Sequence, residues 1–600
     1  MTKTMAGVVR ESRLFTLTGL AIIVGMAAGF IAWILLALIH LITNIAFHQQ
    51  VSFANVDPSA TTLGPWIILV PIVGAVLVGL MARWGSEAIR GHGIPEVMDR
   101  VLHGESRIPA RLTVLKPISA ALAIGTGGPF GAEGPIIATG GALGSLLGQI
   151  LHVTADERKT LLAAGAAAGM AATFGTPVAA VLLAVELLLF EYRARSIIPV
   201  SMASCAATVV RLALVSTGPV FPMPDVAEPT GTALICYALL GAAVGAVAAG
   251  ITRSVYDVED LFERLPIHWM WWPAIGAVFV GVLGYLDPHI LGVGYDNITM
   301  NLTGNVAIGS IALLILLKFI AWTIYLGSGT SGGTLAPLFT FGSGLGAIAG
   351  GLLAAHFPEL GIAPPVAALV GMAAMFAGAS RALLASVVFS FETTRQPLGL
   401  LPLLAGCSAA YMVSRLLMRH SIMTEKLARR GVLVQDDYSV DHLARLPVSG
   451  AMTHAVDSFP ADARIVDVRA IINAPDDAGH QGFPVLDAAG DLIGLVTRRD
   501  LRNAAATATV VGDLLHQPAV VAFPEQSLRD AADIMVRENV GRLPVVDPMH
   551  PTVLIGILTR SDLLHAHEPR LLAAEHRTGP WRIELPSQMP RMGRHRGGSE

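Results

Sequence analysis

Long apolar runs separated by short polar breaks fill the chain from Leu14 to Leu417, and charged residues return at ordinary density only after His420. The run Leu14 to Ile39 exceeds the roughly 20 residues a helix needs to cross a bilayer, and Trp66 to Met81 forms a second span. Further runs lie near 112–124, 135–151, 161–174, 178–190 and 197–215, and a second series near 233–251, 271–286, 308–326, 335–355, 365–376, 383–391 and 398–417. Many are shorter than a bilayer requires and are interrupted by Gly or Pro, a pattern that predicts broken helices meeting near the midplane. Lys3, Arg10 and Arg13 precede the first run, and Arg83, Arg90, Arg100, Arg107 and Arg111 follow the second, so the positive-inside rule places both groups in the cytoplasm.

The second series repeats the first. Gly125 to Gly148 recurs without a gap from Gly327 to Gly350, with Gly131, Pro135, Gly140 and Gly144 meeting Gly333, Pro337, Gly342 and Gly346. Gly169-Met170-Ala171-Ala172-Thr173-Phe174 meets Gly371-Met372-Ala373-Ala374-Met375-Phe376 at the same offset. Glycine-rich composition alone does not reproduce a matching Met and Phe, so the membrane region is read as a duplicated unit with halves at about 14–215 and 230–432.

Composition sharpens the class. Only 14% of the 600 residues are charged and mean hydropathy is +0.62, whereas a soluble fold carries about a quarter charged residues. The net charge of -4 calls for no nucleic-acid partner. Cys205, Cys236 and Cys407 stand in apolar surroundings, which suits buried thiols and excludes a disulfide framework.

Beyond an arginine-rich exit at Arg415, Arg419, Arg429 and Arg430 the chain again holds two copies of one unit. Gly482-Phe483-Pro484-Val485-Leu486-Asp487 with Ile493 to Leu501 is echoed by Gly541 to Asp547 with Ile555 to Leu563, each reading as two short strands and a helix. A helix from Ser527 to Glu538 precedes the second pair of strands. The expected layout is an N-terminal tail at 1–13, a membrane domain at 14–432, a linker at 433–446, α/β units at 447–506 and 507–569, and a disordered tail at 570–600.

Gly131-Ala132-Glu133-Gly134-Pro135 and its counterpart Gly333-Thr334-Leu335-Ala336-Pro337 each open a helix. If the halves are inverted, two helix N-termini with unpaired N–H groups converge near the midplane and favour an anion; close helix packing is the alternative use of such glycines. Glu133 is ionisable inside a membrane segment, which marks it as a functional candidate: a carboxylate there competes with an anion when ionised and withdraws when protonated.

Gly91-His92-Gly93-Ile94-Pro95, Gly131 to Pro135 and Gly333 to Pro337, in this order and followed by paired cytoplasmic repeats, resemble the three anion-pathway motifs of the CLC chloride channel and transporter family. The resemblance spans Leu14 to Leu564. It implies a polytopic α-helical membrane protein with an inverted internal repeat, a homodimer, a chloride pathway in each subunit, Glu133 as gate, and no covalent chemistry. The anion would be bound by His92, Gly93 and Ile94, by Gly131, Ala132 and Gly134, by Thr334, Leu335 and Ala336, and at Met423.

The departures matter equally. His92 stands where the family has serine, either as an anion donor with pH sensitivity or as a cap on the helix from Ile94. Ala132, Leu335 and Met423 replace the family's arginine, phenylalanine and tyrosine. Lys116 resembles the family's buried lysine and is read as added positive potential or as a snorkelling interfacial residue. Leu187 falls where proton-coupled members have an inward glutamate, and Glu186 is the neighbouring candidate for a proton route. The favoured expectation is anion conduction without tight proton coupling, the alternative a chloride/proton antiporter with another proton route. Glu392 is assigned to structure.

The cytoplasmic units resemble CBS domains. Thr497 with Asp500 and Thr559 with Asp562 would then meet the phosphate and ribose of an adenine nucleotide, though Thr-x-x-Asp is also an ordinary helix start. No metal or obligatory cofactor is expected. A CBS-linked cation transporter is the first rival, weakened because Glu133, Glu186, Glu191 and Glu392 are separated; an intramembrane metalloprotease lacks its His-Glu-x-x-His. The expected setting is a bacterial inner membrane with the N-terminus and CBS pair cytoplasmic.

Overall fold

The computed structural model describes residues 2–151, 153–215, 217–304, 307–431, 443, 446–473, 480–505, 507–515 and 517–568, and the chain divides into two compact units, Met1–Tyr438 and Ser439–Glu600. The expected tail at 570–600 and nearly all of the linker at 433–446 lie outside the described residues. Residues 2–13, set apart above as a tail, are helical and continuous with the first span.

The first half of the membrane unit contains α1 (Thr2–Thr43), α2 (Leu69–Trp84), α3 (Ile94–Leu102), α4 (Leu112–Gly125), α5 (Glu133–Ile150), α6 (Ala155–Phe174), α7 (Pro177–Ala184) and α8 (Ala194–Leu214). The second contains α9 (Gly231–Glu263), α10 (Trp272–Leu286), α11 (Tyr295–Thr303), α12 (Ile308–Gly327), α13 (Leu335–His356), α14 (Pro364–Ser380), α15 (Leu383–Thr394) and α16 (Leu400–Leu417), with a short α17 (Glu425–Arg429) after it. Among the described residues eight helices are long and apolar enough to span a membrane, interleaved with shorter apolar ones.

The two halves pack alike because their glycines do. A Cβ on Gly140 would lie 2.1 Å from Gly165 O, and one on Gly342 would lie 2.3 Å from Gly371 O, so α5 meets α6, and α13 meets α14, backbone to backbone. Close packing is therefore the role of these repeated glycines. Between the halves, Gly131 N–H donates to Gly333 O (3.2 Å) and Gly333 N–H donates to Gly131 O (2.9 Å), an antiparallel exchange that brings the two motifs together head to head. This is the geometry of an inverted repeat.

In the second unit, β1 (Phe459–Pro460) pairs parallel with β2 (Gly482–Leu486), which pairs antiparallel with β3 (Leu492–Thr497); β4 (Arg542–Val546) pairs antiparallel with β5 (Leu554–Thr559). The helices are α18 (Ile465–Ile472), α19 (Arg498–Arg502), α20 (Leu528–Arg537) and α21 (Arg560–His565). The copies exchange their leading segments. Thr453 and Ile557 trade backbone bonds of 2.9 and 3.0 Å, and Val448 is buried with Leu528, Leu543 and Leu558 of the second copy. Conversely Val511 N–H donates to Ala463 O (2.9 Å) and Val511 is buried with Phe483 and Val496 of the first. The boundary drawn at 506/507 thus separates residues by sequence but not by core.

Candidate functional site

Glu133 is the first residue of α5 and is wholly buried. Its Oε1 accepts the hydroxyl proton of Tyr295, the first residue of α11, at 2.8 Å. Its Oε2 rests over the paired motifs: a Cβ on Gly131 would lie 1.6 Å from that oxygen, and one on Gly333 would lie 3.0 Å from it. A side chain at Gly131 would collide with the carboxylate, and one at Gly333 would first meet Gly131 O, at 2.4 Å.

The start of α3 closes against the same place. A Cβ on Gly134 would stand 1.9 Å from His92 O, and one on Gly93 would stand 2.5 Å from Gly134 O. Gly93 adopts a φ of +96°, open to glycine at low cost, which turns the chain into α3 at Ile94. Ile94, Ala132, Leu335 and Ala336 are buried, as are Met423 and the side chain of Thr334, whose hydroxyl has no hydrogen-bond partner. The structure thus gathers the starts of α3, α5 and α13 from the predicted motifs, and adds the start of α11.

His92 is buried, and its ring Nδ1 has no hydrogen-bond partner. It does not cap α3, as one of the two sequence readings had it: Glu96 Oε2 takes the Gly93 N–H at 2.9 Å instead, because a residue at the third helical position reaches back where position 92 does not. Met423 follows Ile422, whose N–H donates to Ala379 O (2.9 Å) and whose carbonyl accepts from Tyr256 Oη (2.8 Å). Three residues on, Lys426 pairs with Glu96 at 3.3 Å.

Lys116 does not snorkel; it is buried against the first motif. Its buried ammonium donates to Ile89 O and Gly91 O, both at 2.8 Å, fixing the turn that precedes α3. Lys318 does the same in the second half, donating to Ile290 O (3.0 Å) and Gly292 O (3.4 Å) before α11. The desolvation of each ammonium is offset by carbonyls that have no helical partner.

Glu186, the candidate for a proton route, is bound to a helix start. Its two oxygens accept from Leu384 N–H and Ala385 N–H, both at 3.0 Å, at the start of α15. Glu392 answers from α15, accepting from Val178 N–H (3.1 Å) and Ala179 N–H (2.8 Å) at the start of α7. Each carboxylate satisfies the free amides and positive end of the other helix. Leu187 beside Glu186 is buried.

Tyr295 escaped the motif search, although Gly292-Val293-Gly294-Tyr295 repeats Gly91-His92-Gly93-Ile94 and signalled it. A cavity of 440 Å³ is lined by Glu96, Lys116, Glu259, Glu263 and Lys426, and also by Gly93 and Ala138. Ala138 lies on α5 five residues after Glu133, about 7.5 Å along the axis. Among the described residues no three His, Cys, Asp or Glu side chains converge as metal ligands.

In the soluble unit Thr497 and Asp500 close on each other: the Asp500 carboxylate accepts from Thr497 N–H (2.9 Å) and Thr497 Oγ1 (2.6 Å). Thr559 and Asp562 do the same at 2.7 and 2.8 Å. Both are capping boxes at the starts of α19 and α21.

Two inverted halves meeting at glycine-flanked helix starts, with one carboxylate held between them, define a membrane anion transporter or channel. The sequence model described as "Voltage gated chloride channel" matches residues 73–415, and that of the CBS domain matches 448–507 and 511–568. The chain belongs to the CLC family of chloride channels and transporters, and is an integral multi-pass membrane protein of chloride transport. It is 31% identical over 439 residues to the H(+)/Cl(-) exchange transporter ClcA of Vibrio parahaemolyticus, covering 70% of this chain and 91% of that one. It is 27% identical over 371 residues to a Ralstonia nicotianae protein described as a putative chloride channel protein ClcB-like, covering 61% of this chain and 86% of that one. The fold matches a slow cyanobacterial Cl-/H+ antiporter with a TM-score of 0.62 at 24% identity (69% of this chain, 97% of that one) and a eukaryotic CLC transporter with 0.59 at 21% (92% and 98%).

Proposed function

We propose that chloride crosses the chain past Glu133, bound by the starts of α3, α5 and α13 and bounded by Met423, with the Glu133 carboxylate as the gate. The observation that carries this reading is the position of that carboxylate over Gly131 and Gly333, where an anion would draw on the same helix ends. Ionised, the side chain competes for the site; protonated, it gives way. His92 supplies a ring nitrogen to the bound anion in place of a serine hydroxyl.

Coupling to protons is loose in this reading, because Leu187 does not titrate and Glu186 is engaged by the start of α15. A tightly coupled exchanger is the second reading. It is favoured by the relative named as an H(+)/Cl(-) exchange transporter and by the carboxylate-lined cavity whose walls include Ala138, five residues after Glu133. Proteoliposomes with a chloride gradient separate the two: the first reading expects no uphill proton movement at fixed stoichiometry, and the second requires it.

The protein works as a homodimer with its N-terminus and CBS pair on the cytoplasmic side of a bacterial inner membrane, and adenine nucleotide at Thr497, Asp500, Thr559 and Asp562 modulates flux. A nucleotide there competes with the capping bonds of Asp500 and Asp562, and it acts only through unequal affinity for two conducting states.

A further inference from the structure

Glu96 joins two parts of the chain that the proposed pathway runs between. Its Oε2 accepts the Gly93 N–H of the first motif at 2.9 Å, and its Oε1 pairs with Lys426 at 3.3 Å, three residues after Met423. One turn further along α3, Asp99 pairs with Arg430 at 3.3 Å, four residues after Lys426. Residues three or four apart on a helix share a face, so the two pairs are successive rungs between α3 and the segment that follows Met423. All four side chains line the 440 Å³ cavity beside Gly93.

The rungs differ in weight. The side chains of Lys426 and Glu96 are only 24% and 22% exposed, whereas that of Arg430 is 53% exposed, and an exposed pair contributes little. Lys426 also lies 3.9 Å from Glu259 Oε1 on α9, so two carboxylates face its ammonium. Its charge serves contacts within the chain.

The opposite side of the segment is held by α9. Tyr256 Oη donates to Ile422 O at 2.8 Å, and Arg429 pairs with Asp260 and lies 5.0 Å over the Tyr256 ring. These bonds anchor the residues on both sides of Met423 to α9, and the rungs draw them to α3. The second half of the repeat lacks the device: Asn297 and Met300 stand in the places of Glu96 and Asp99, and Asn297 donates to His289 O at 2.8 Å.

We propose that the Lys426–Glu96 pair, supported by Arg430–Asp99, is a clamp that holds Met423 against the first motif and so sets the width of one mouth of the anion pathway. Lys426 and Arg430 are its positioning residues. The effect on flux rests on the proposed route between the first motif and Met423; the clamp itself does not.

The test compares Lys426→Met, Lys426→Arg, Glu96→Gln and the double variant Lys426→Met/Glu96→Gln in the full chain. Glutamine at position 96 keeps an oxygen for the Gly93 N–H and loses the charge. Hydrogen exchange read by mass spectrometry should show the segment 421–425 exchanging about two- to fivefold faster in Lys426→Met. Lys426→Arg should keep the wild-type rate, and Lys426→Met should add nothing in the Glu96→Gln background. In proteoliposomes chloride flux should rise in the same pattern and the preference between chloride and nitrate should weaken, which a loss of stability alone does not produce. Equal exchange in wild type and Lys426→Met overturns the clamp. A fall in flux on Lys426→Met that persists in the Glu96→Gln background makes Lys426 a free attracting charge and overturns it as well. Faster exchange with unchanged flux and selectivity overturns the link to the pathway. Wild-type protein that carries no chloride, while exchange responds as expected, strikes at the transport reading and leaves the clamp standing.

Discussion

Tyr295 donates its hydroxyl proton to Glu133 Oε1 across 2.8 Å, tying the first residue of α11 to the first residue of α5. The bond holds the carboxylate over Gly131 and Gly333, so it stabilises the blocking position of the gate. Tyr295→Phe removes the donor and keeps the ring between Phe174 and Phe221. A hydrogen bond to a charged group is worth about 1.5–3 kcal/mol, so the equilibrium should shift roughly ten- to a hundredfold towards the withdrawn state. Chloride flux from proteoliposomes at neutral pH should rise, and unchanged flux would remove Tyr295 from the gate.

Two adjacent glycines should behave oppositely. Gly140→Ala sets a methyl 2.1 Å from Gly165 O and must push α5 off α6, whereas Gly141→Ala finds its neighbours at 3.7 Å, an ordinary contact. Alanine gains up to about 1 kcal/mol of helix propensity over glycine, so Gly141→Ala should match or exceed the wild-type melting temperature and Gly140→Ala should fall well below it. Thermal unfolding in detergent decides between them.

Glu186 and Glu392 cap each other's helices, so Glu186→Ala should lower stability by about 1–2 kcal/mol, and Glu392→Ala by a similar amount. The proton-to-chloride ratio of Glu186→Gln should equal that of the wild type. A lower ratio in a protein of normal stability would restore Glu186 as a proton carrier.

The soluble unit offers a pH prediction. Thr509 N–H and Val510 N–H donate to Asp513 Oδ2 at 2.8 and 3.1 Å, and these bonds hold the carboxyl below its usual range. A depressed carboxyl adds stability above its unfolded value, near 4, and loses it as pH falls through the folded value. Asp513→Asn should therefore flatten the acid side of the unfolding profile and leave its alkaline side unchanged. Calorimetry of the full chain with ATP, ADP and AMP tests the nucleotide proposal separately: no heat with any of the three, and no thermal shift, would end it.

The duplication, the spans and the three motifs were legible because glycine and proline carry backbone meaning at fixed spacing, and because apolar run length reports the bilayer. The structural use of Glu392 was legible too, but the partners of Lys116 and Glu186 were not. The carbonyls of Ile89 and Gly91 and the amides of Leu384 and Ala385 become partners of Lys116 and Glu186 only on folding. The exchange of Val448 and Val511 between the CBS copies was hidden for the same reason: a repeat in sequence does not state which core its leading residue joins. Tyr295 lay within reach, at the place that Ile94 holds in the other half.

The most direct test of the gate is Glu133→Gln, measured with chloride and proton movement recorded together in proteoliposomes across a range of pH. Glutamine is the neutral isostere of the protonated carboxyl, so chloride flux should persist, differ from that of the wild type and lose its dependence on pH, with no proton movement beyond background. Flux and pH dependence indistinguishable from the wild type would contradict the assignment of Glu133 and, with it, the route proposed for the anion.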